Sequence, residues 1–157
     1  MEISIREGNL NDYKEVNDLN CQIQDIHVQD RPDIYKKTEV PLDKDYYSCL
    51  LKDENARIIL AIEGEQTVGY SIFEIKATPN RSNLVYRKML YVDDICVDKN
   101  YRGRGIGEKL FKYIKEYGKA VGAHSLELSV WEFNKGAISF YDKMGMSTKN
   151  RRMEIKL

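Results

Sequence analysis

A single mixed α/β domain, residues 1–157, is the architecture this sequence predicts, and three observations carry it. Two β-rich runs meet at Glu63-Gly64-Glu65, a hairpin signal. From Asp94 to Ile114, DICVDKNYRGRGIGEKLFKYI sets an apolar strand-like segment, a polar break, three alternating glycines and an amphipathic segment in a row. The composition, 42% hydrophobic and 32% charged, is that of a globular chain long enough to bury a core.

Each element has its own local reason. EISIRE alternates Ile3 and Ile5 with polar neighbours, the pattern of a half-buried strand. Asn9 or Asn11 can cap a following helix whose apolar face is Tyr13, Val16 and Leu19. A second helical stretch covers Cys21 to about Gln29 and stops before Pro32, since the residue ahead of a proline is pushed out of helical geometry. Arg31 to Asp45 is polar, holds Pro32 and Pro41, and reads as an irregular excursion or lid. DYYSCLLKDE is a short helix. ARIILAIEGEQTVGYSIFEIKA supplies the hairpin, TPNRSN a loop, and YRKMLYVDDICV a mostly apolar and therefore central strand. After the glycines, Ile106, Leu110, Ile114, Tyr117 and Val121 recur at helical spacing, and Gly122 provides the stop. HSLELSV alternates as a strand, NKGAISFYDKMG is a short helix from about Lys135 closed by Gly145, and RRMEIKL is read as a final strand.

Charge and cysteine content exclude several functions. Lys plus Arg equals Asp plus Glu at 25 each, so overall charge does not favour nucleic acid, and no nucleic-acid partner is expected. The longest apolar run, Ile58 to Ile62, is far short of a membrane span, so no membrane partner is expected either. MEISIREGNL carries an early acid and no long apolar stretch, so a secretion signal is not expected. Cys21, Cys49 and Cys96 are odd in number and scattered, which fits reduced thiols in a cytoplasmic protein. His27 and His124 lack ligand spacing, and no metal is expected.

The glycines need a reason, because each costs a helix roughly 0.5–1 kcal/mol relative to alanine. A strand–glycine–helix unit cradles phosphate: the first helical amides are unpaired, and glycine lets an anion approach them. A Walker A loop would need Gly-Lys-Ser or Gly-Lys-Thr, which is absent, and a dinucleotide fingerprint would need glycine where Glu108 stands. The pattern present is R-x-x-G-x-G, from Arg102 through Gly105 to Gly107. It resembles the acyl-CoA-binding motif of the GNAT superfamily of N-acetyltransferases. SVWEFNKGAISFYDKMGM resembles that superfamily's second signature, with Asn134, Ala137, Phe140, Tyr141 and Gly145 in place. LYVDDICVDKNYRGRGIG is most similar to the diamine (spermidine/spermine) branch.

The resemblance implies a mixed, mostly antiparallel central sheet flanked by helices, with acyl-CoA wedged where central strands splay. It implies that acetyl-CoA is the cosubstrate. Ile95, Cys96 and Val97 would offer backbone groups to its pantetheine arm. Arg102, Gly103, Arg104, Gly105, Ile106, Gly107 and Glu108 would form the pyrophosphate loop, with Asn134 also at the cofactor. The backbone amides should matter more than the Arg102 and Arg104 side chains. It further implies Tyr141 as the acid that protonates the leaving sulfur, and a homodimer.

Acetyl transfer to an amine needs a neutral nitrogen. An alkyl amine has a pKa near ~10.4, so at pH 7 deprotonation costs roughly 4.6 kcal/mol and a site must accept the proton. Asp93 and Asp94 lie in an otherwise apolar segment, where carboxylates are expensive unless partnered or facing a cavity. Neighbouring strand residues point to opposite sides, so both can face a substrate only if a bulge intervenes. Asp94 is preferred to Asp93 as the water-linked base. Cys96 could carry the acetyl group on a thiolate, but no activating histidine lies near it in sequence, and a buried structural cysteine is preferred. Acids at the acceptor end point to a cationic amine on a small molecule or a peptide. The alternative is a module that binds acyl-CoA without turnover.

Overall fold

The computed structural model describes residues 2–157 and contains five strands and four α-helices among them. In chain order these are β1 (Ile3–Glu7), α1 (Tyr13–Asp30), α2 (Lys44–Lys52), β2 (Ala56–Glu63), β3 (Gln66–Ala77), β4 (Lys88–Val97), α3 (Ile106–Ala120), β5 (Ser125–Leu128) and α4 (Lys135–Lys143). The strands form one sheet in the order β1-β2-β3-β4-β5. Every neighbouring pair is antiparallel except β4 and β5, which run parallel and are therefore joined by the crossover helix α3. The expected mixed, mostly antiparallel sheet flanked by helices is the one observed.

The sheet is covered on both faces, which is why β2 reads as the nearly unbroken run ARIILAI. On one face Val16 and Leu19 of α1, Leu42, and Tyr47 and Leu50 of α2 pack on Ile58, Leu60, Tyr70, Ile72 and Cys96. On the other, Ile106, Leu110 and Ile114 of α3 pack on Ile59, Ala61, Val68, Phe73, Leu90 and Val92. Burial of each large aliphatic side chain contributes about 1.5–3 kcal/mol, so two full layers hold the sheet between them.

Two readings need correction. Tyr13–Asp30 is one helix of 18 residues, not two. Its apolar periodicity is interrupted because Asn17 and Asn20 lie on the inward side, and each has a polar task there. Asn17 donates from Nδ2 to the Glu39 carbonyl (2.9 Å) and accepts at Oδ1 from the Leu42 amide (3.3 Å). With Tyr13 Oη donating to the Leu42 carbonyl (2.8 Å), this straps the irregular 31–43 segment along α1. The second correction concerns RRMEIKL: residues 151–157 form no strand. The alternating pattern is there, but no partner edge within this chain engages it.

Candidate active site

The central feature is a slip in the β3–β4 ladder. Ile72 pairs with Asp94 and Phe73 with Val92, leaving Asp93 as the extra residue of a bulge. Val92 and Ile95 both pack toward α3. The two residues between them therefore share the opposite face, toward α1 and α2. This is the condition under which neighbouring aspartates can serve one site. The bulge also lies where β4 loses its other neighbour, because pairing with β5 ends at Val92 and Leu128. From Asp93 to Val97 the β5 side of β4 is unpaired, and the sheet opens there.

The two acids have different surroundings. Asp94 is half-buried, and burial raises its pKa, opposed by hydrogen bonds from Tyr70 and Asn20. Asn20 Nδ2 reaches Asp94 Oδ2 at 3.2 Å and also donates to Tyr70 Oη at 2.7 Å. The Asp94 carbonyl accepts from Ser71 Oγ at 2.6 Å. Asp93 is pushed up to about 6, first by burial and then by the charge of Glu74, while Lys76 opposes the shift. Lys76 Nζ stands 4.0 Å from Asp93 and 3.6 Å from Glu74, and lies 4.1 Å from the centre of the Tyr91 ring. Tyr46 of α2 also faces this group: burial raises its phenol pKa, and the charges of Asp93, Glu74 and Asp94 raise it further. Three carboxylates bordered by two tyrosines attract a cation and can hold a proton.

Tyr141 comes from α4, whose start is capped by Asn134 Oδ1 accepting from the Ala137 amide (3.1 Å). The side-chain carbonyl of Asn134 is thus committed to the helix. α4 packs on α3 through Phe140, whose ring meets Phe111 edge-on at 6.2 Å between centres. Gly107 lies against the Phe140 ring, where an added Cβ would sit at 3.4 Å, ordinary van der Waals contact. Tyr141 is pushed up to about 12, first by burial and then by the charge of Asp94. The fold has brought the phenol and the carboxylate into electrostatic range from opposite ends of the chain's second half.

The glycine loop lies beside the opened edge of β4. Gly103 and Gly105 have φ of 76° and 75°, a left-handed geometry that costs other residues roughly 1–2 kcal/mol, and a Cβ at either would meet nothing within 4 Å. Gly105 is the N-cap of α3 and supplies no side chain to its first amides, whereas Asp43 caps α2 and Asn134 caps α4. Ile106 starts α3 with its side chain in the core. The amides of Ile106, Gly107 and Glu108 thus stand at a helix start with a glycine approach, as phosphate binding requires. The two arginines do different work. Arg102 Nε donates to the Val97 carbonyl (3.1 Å), while Arg104 pairs with Glu63 and lies over the Tyr101 ring at 5.1 Å. Glu108 is joined to Lys143 of α4 at 2.5 Å. A diphosphate and an extended amide-bearing arm fit this combination of bare helix amides and open strand edge.

The Cys96 thiol faces away from that edge. It is buried, donates to the Leu19 carbonyl at 3.5 Å, and is pushed up to about 12 chiefly by burial. Ile95 and Val97 pack toward α3, so the three residues can offer only main-chain groups, of which the Val97 carbonyl already accepts from Arg102 Nε. A groove of about 510 Å3 between Ile5 and the outer side of α3 holds none of these groups. Among the described residues no cluster of three or more His, Cys, Asp or Glu could hold a metal ion, and no helix is long and apolar enough to cross a membrane.

Asn20, Tyr46, Tyr70, Glu74, Lys76 and Tyr91 escape a reading of the sequence. Glu74 and Tyr91 are cross-strand partners, so once the β3–β4 register is known the pair follows. Nothing local marks Asn20, which reaches Asp94 across a helix–sheet contact.

The profile of the acetyltransferase (GNAT) family matches residues 21–146. An uncharacterized N-acetyltransferase of Methanocaldococcus jannaschii, MJ1207, is 35% identical over 105 residues, covering 66% of this chain and 45% of that protein. The thialysine N-epsilon-acetyltransferase of Bos taurus is 31% identical over 104 residues, covering 64% of this chain and 55% of that one. The chain therefore spans about half the length of these curated relatives. Among solved structures, a tetramutant of the BH1408 protein from Bacillus halodurans superposes with a TM-score of 0.95 at 34% identity, covering 98% of this chain and 99% of that one. The aminoglycoside N-acetyltransferase AAC(6')-Iy, solved in complex with CoA, shares the fold with a TM-score of 0.76 at 14% identity, over 99% and 95% of the two chains.

Proposed function

We propose that this chain, which belongs to the acetyltransferase (GNAT) family, moves an acetyl group from acetyl-CoA to the primary amine of a small cationic molecule or a peptide. The observation that carries the reading is the Asp93 bulge. It turns two carboxylates onto one face where β4 is left open, within reach of the field that acts on Tyr141. The start of α3 and the free edge of β4 take the diphosphate and the pantetheine arm, and the acidic face takes the amine. The amine gives up a proton, through water, to the carboxylate pair. Its nitrogen attacks the thioester carbon, the carbon–sulfur bond breaks, and the departing sulfur takes the proton of Tyr141. The surplus N–H proton of the new amide leaves to restore the Tyr141 phenol. A phenol near pKa 12 stays protonated at neutral pH and so is available as that donor.

The substrate class rests on charge and on kinship. Asp93, Asp94 and Glu74 favour a cation, and relatives named thialysine N-epsilon-acetyltransferase support a diamine-like acceptor with an amino group at the end of a short chain. A relative named glucosamine 6-phosphate N-acetyltransferase keeps amino sugars in the panel.

The test is release of free CoA thiol from acetyl-CoA with polyamines, thialysine, amino sugars, aminoglycosides and a lysine peptide, each product identified by mass. Thiol release matched by N-acetyl product with a cationic amine is the expected result. CoA binding without turnover across the whole panel would overturn transfer in favour of an acyl-CoA-binding module. Tyr141→Phe should lower kcat by roughly 10²- to 10⁴-fold, the usual worth of a positioned acid, with CoA affinity nearly intact. Unchanged turnover would remove Tyr141 from the chemistry.

A further inference from the structure

The acidic face already holds an amine of this chain. Lys76 of β3 shares its side of the sheet with Glu74 and with Ile72, the ladder partner of Asp94. The ladder partner of Lys76 itself is Met89, well before Asp93 in β4. A lysine in that register whose Nζ still comes to 4.0 Å from Asp93 Oδ1 has its side chain laid along the strands toward the opening. Glu74 Oε2 stands 3.6 Å from the same Nζ, and the centre of the Tyr91 ring 4.1 Å from it.

Other lysines are engaged away from this face. Lys14 pairs with Asp18, Lys119 with Glu116, Lys143 with Glu108 and Lys149 with Glu127. Among the described residues Lys76 alone lies within ion-pair distance of Asp93. Its side chain is 43% exposed, against 85% for Lys14 and 62% for Lys119, so solvent reaches it less than it reaches those two. An ammonium held by two carboxylates and an aromatic ring, at the bulge where β4 opens, meets the terms set for an outside acceptor.

We propose that Lys76 is a modification site: with acetyl-CoA bound and no outside amine present, the chain acetylates its own Lys76 Nζ. The inference rests on the transfer reading above and uses the same groups. The ammonium gives one proton to Asp93, and the neutral nitrogen attacks the thioester carbon. The carbon–sulfur bond breaks, the sulfur takes the proton of Tyr141, and the surplus N–H proton of the new amide restores the phenol. The acetylated side chain is neutral. Glu74 and Asp93 then lose their resident cation, and the face attracts a cationic acceptor more strongly.

The test is mass mapping of the wild-type chain incubated with acetyl-CoA alone, each lysine followed through time. Lys76 gains one acetyl group faster than the more exposed Lys14 and Lys119, at a rate per chain that does not change on dilution. Excess spermidine slows the gain, and Tyr141→Phe lowers it roughly 10²- to 10⁴-fold, as for transfer to an outside amine. Acetyl groups spread over the lysines in order of exposure would overturn the proposal, because that is the pattern of uncatalysed reaction. A rate per chain that rises with concentration would also overturn it, since the acceptor would then be a second copy. A chain that acetylates an outside amine while Lys76 stays free would overturn this inference and leave the transfer reading standing. Lys76 free with no turnover of any outside amine would overturn both.

Discussion

Asp93 and Asp94 are adjacent in the chain and unlike as acids. Asp94 is half-buried and already hydrogen-bonded, while Asp93 sits beside Glu74 and Lys76 with more of its carboxyl in water. A carboxyl near pKa 6 is poised to exchange a proton close to neutral pH, so kcat/KM should rise with pH through a limb near 6 that Asp93→Asn removes. The same shift predicts stability. Its folded-state pKa lies above the ordinary 3.8, so the folded chain holds the extra proton between those values and stability falls as pH rises across that window. Asp93→Asn should therefore unfold at a higher urea concentration than wild type at pH 7–8, with the difference vanishing below about pH 4. Equal midpoints at all pH values would show that the site imposes no charge penalty. The aspartates themselves are legible in the sequence as acids in an apolar strand. That they share a face is not, because it depends on a one-residue slip against β3. Asn20 and Tyr70, which tie down Asp94, depend on a helix crossing and on register.

The start of α3 is the clearest case of an element whose form is legible in its own sequence. Its glycines are informative because the signal is local: spacing, a preceding strand and a following apolar periodicity all lie within one short stretch. The structure divides their tasks. Gly105 turns the chain through a left-handed residue into the helix, and Gly107 lies within the helix against Phe140 of α4. Gly105→Ala should cost roughly 1–2 kcal/mol in stability from the backbone alone, since its Cβ meets nothing. It should also weaken CoA binding, because the carbon would occupy the approach to the first amides of α3. Urea unfolding and CoA titration check the two effects separately, and a variant with the stability loss but unaltered CoA affinity would move the diphosphate away from this loop. α1 shows the opposite case. Asn17 and Asn20 point inward for polar reasons, which breaks the apolar period that would have marked one long helix. RRMEIKL fails for a third reason: alternation reports a strand's readiness to pair, not whether an edge within the same chain accepts it.

At the scale of the whole molecule, the sheet separates two environments that meet only where β4 opens. The acidic face belongs to α1 and α2, and the bare helix start belongs to α3 and α4. Two ligands approaching from different sides need not displace one another, so both can be bound at once. An acetyl-carrying protein thiol would remove that need, and Cys96 is the one cysteine near the opening. Its thiol points to the Leu19 carbonyl inside the α1 layer and is pushed up to about 12, so it is neither ionised nor directed at the gap. Initial velocities measured against both substrates should therefore give intersecting double-reciprocal lines. Cys96→Ala should cost about 1 kcal/mol of stability as a core truncation and leave turnover largely unchanged. Parallel lines, together with loss of turnover in a Cys96→Ala protein that still binds CoA, would mean that the acetyl group pauses on this thiol and that the sheet opens further than its packing indicates.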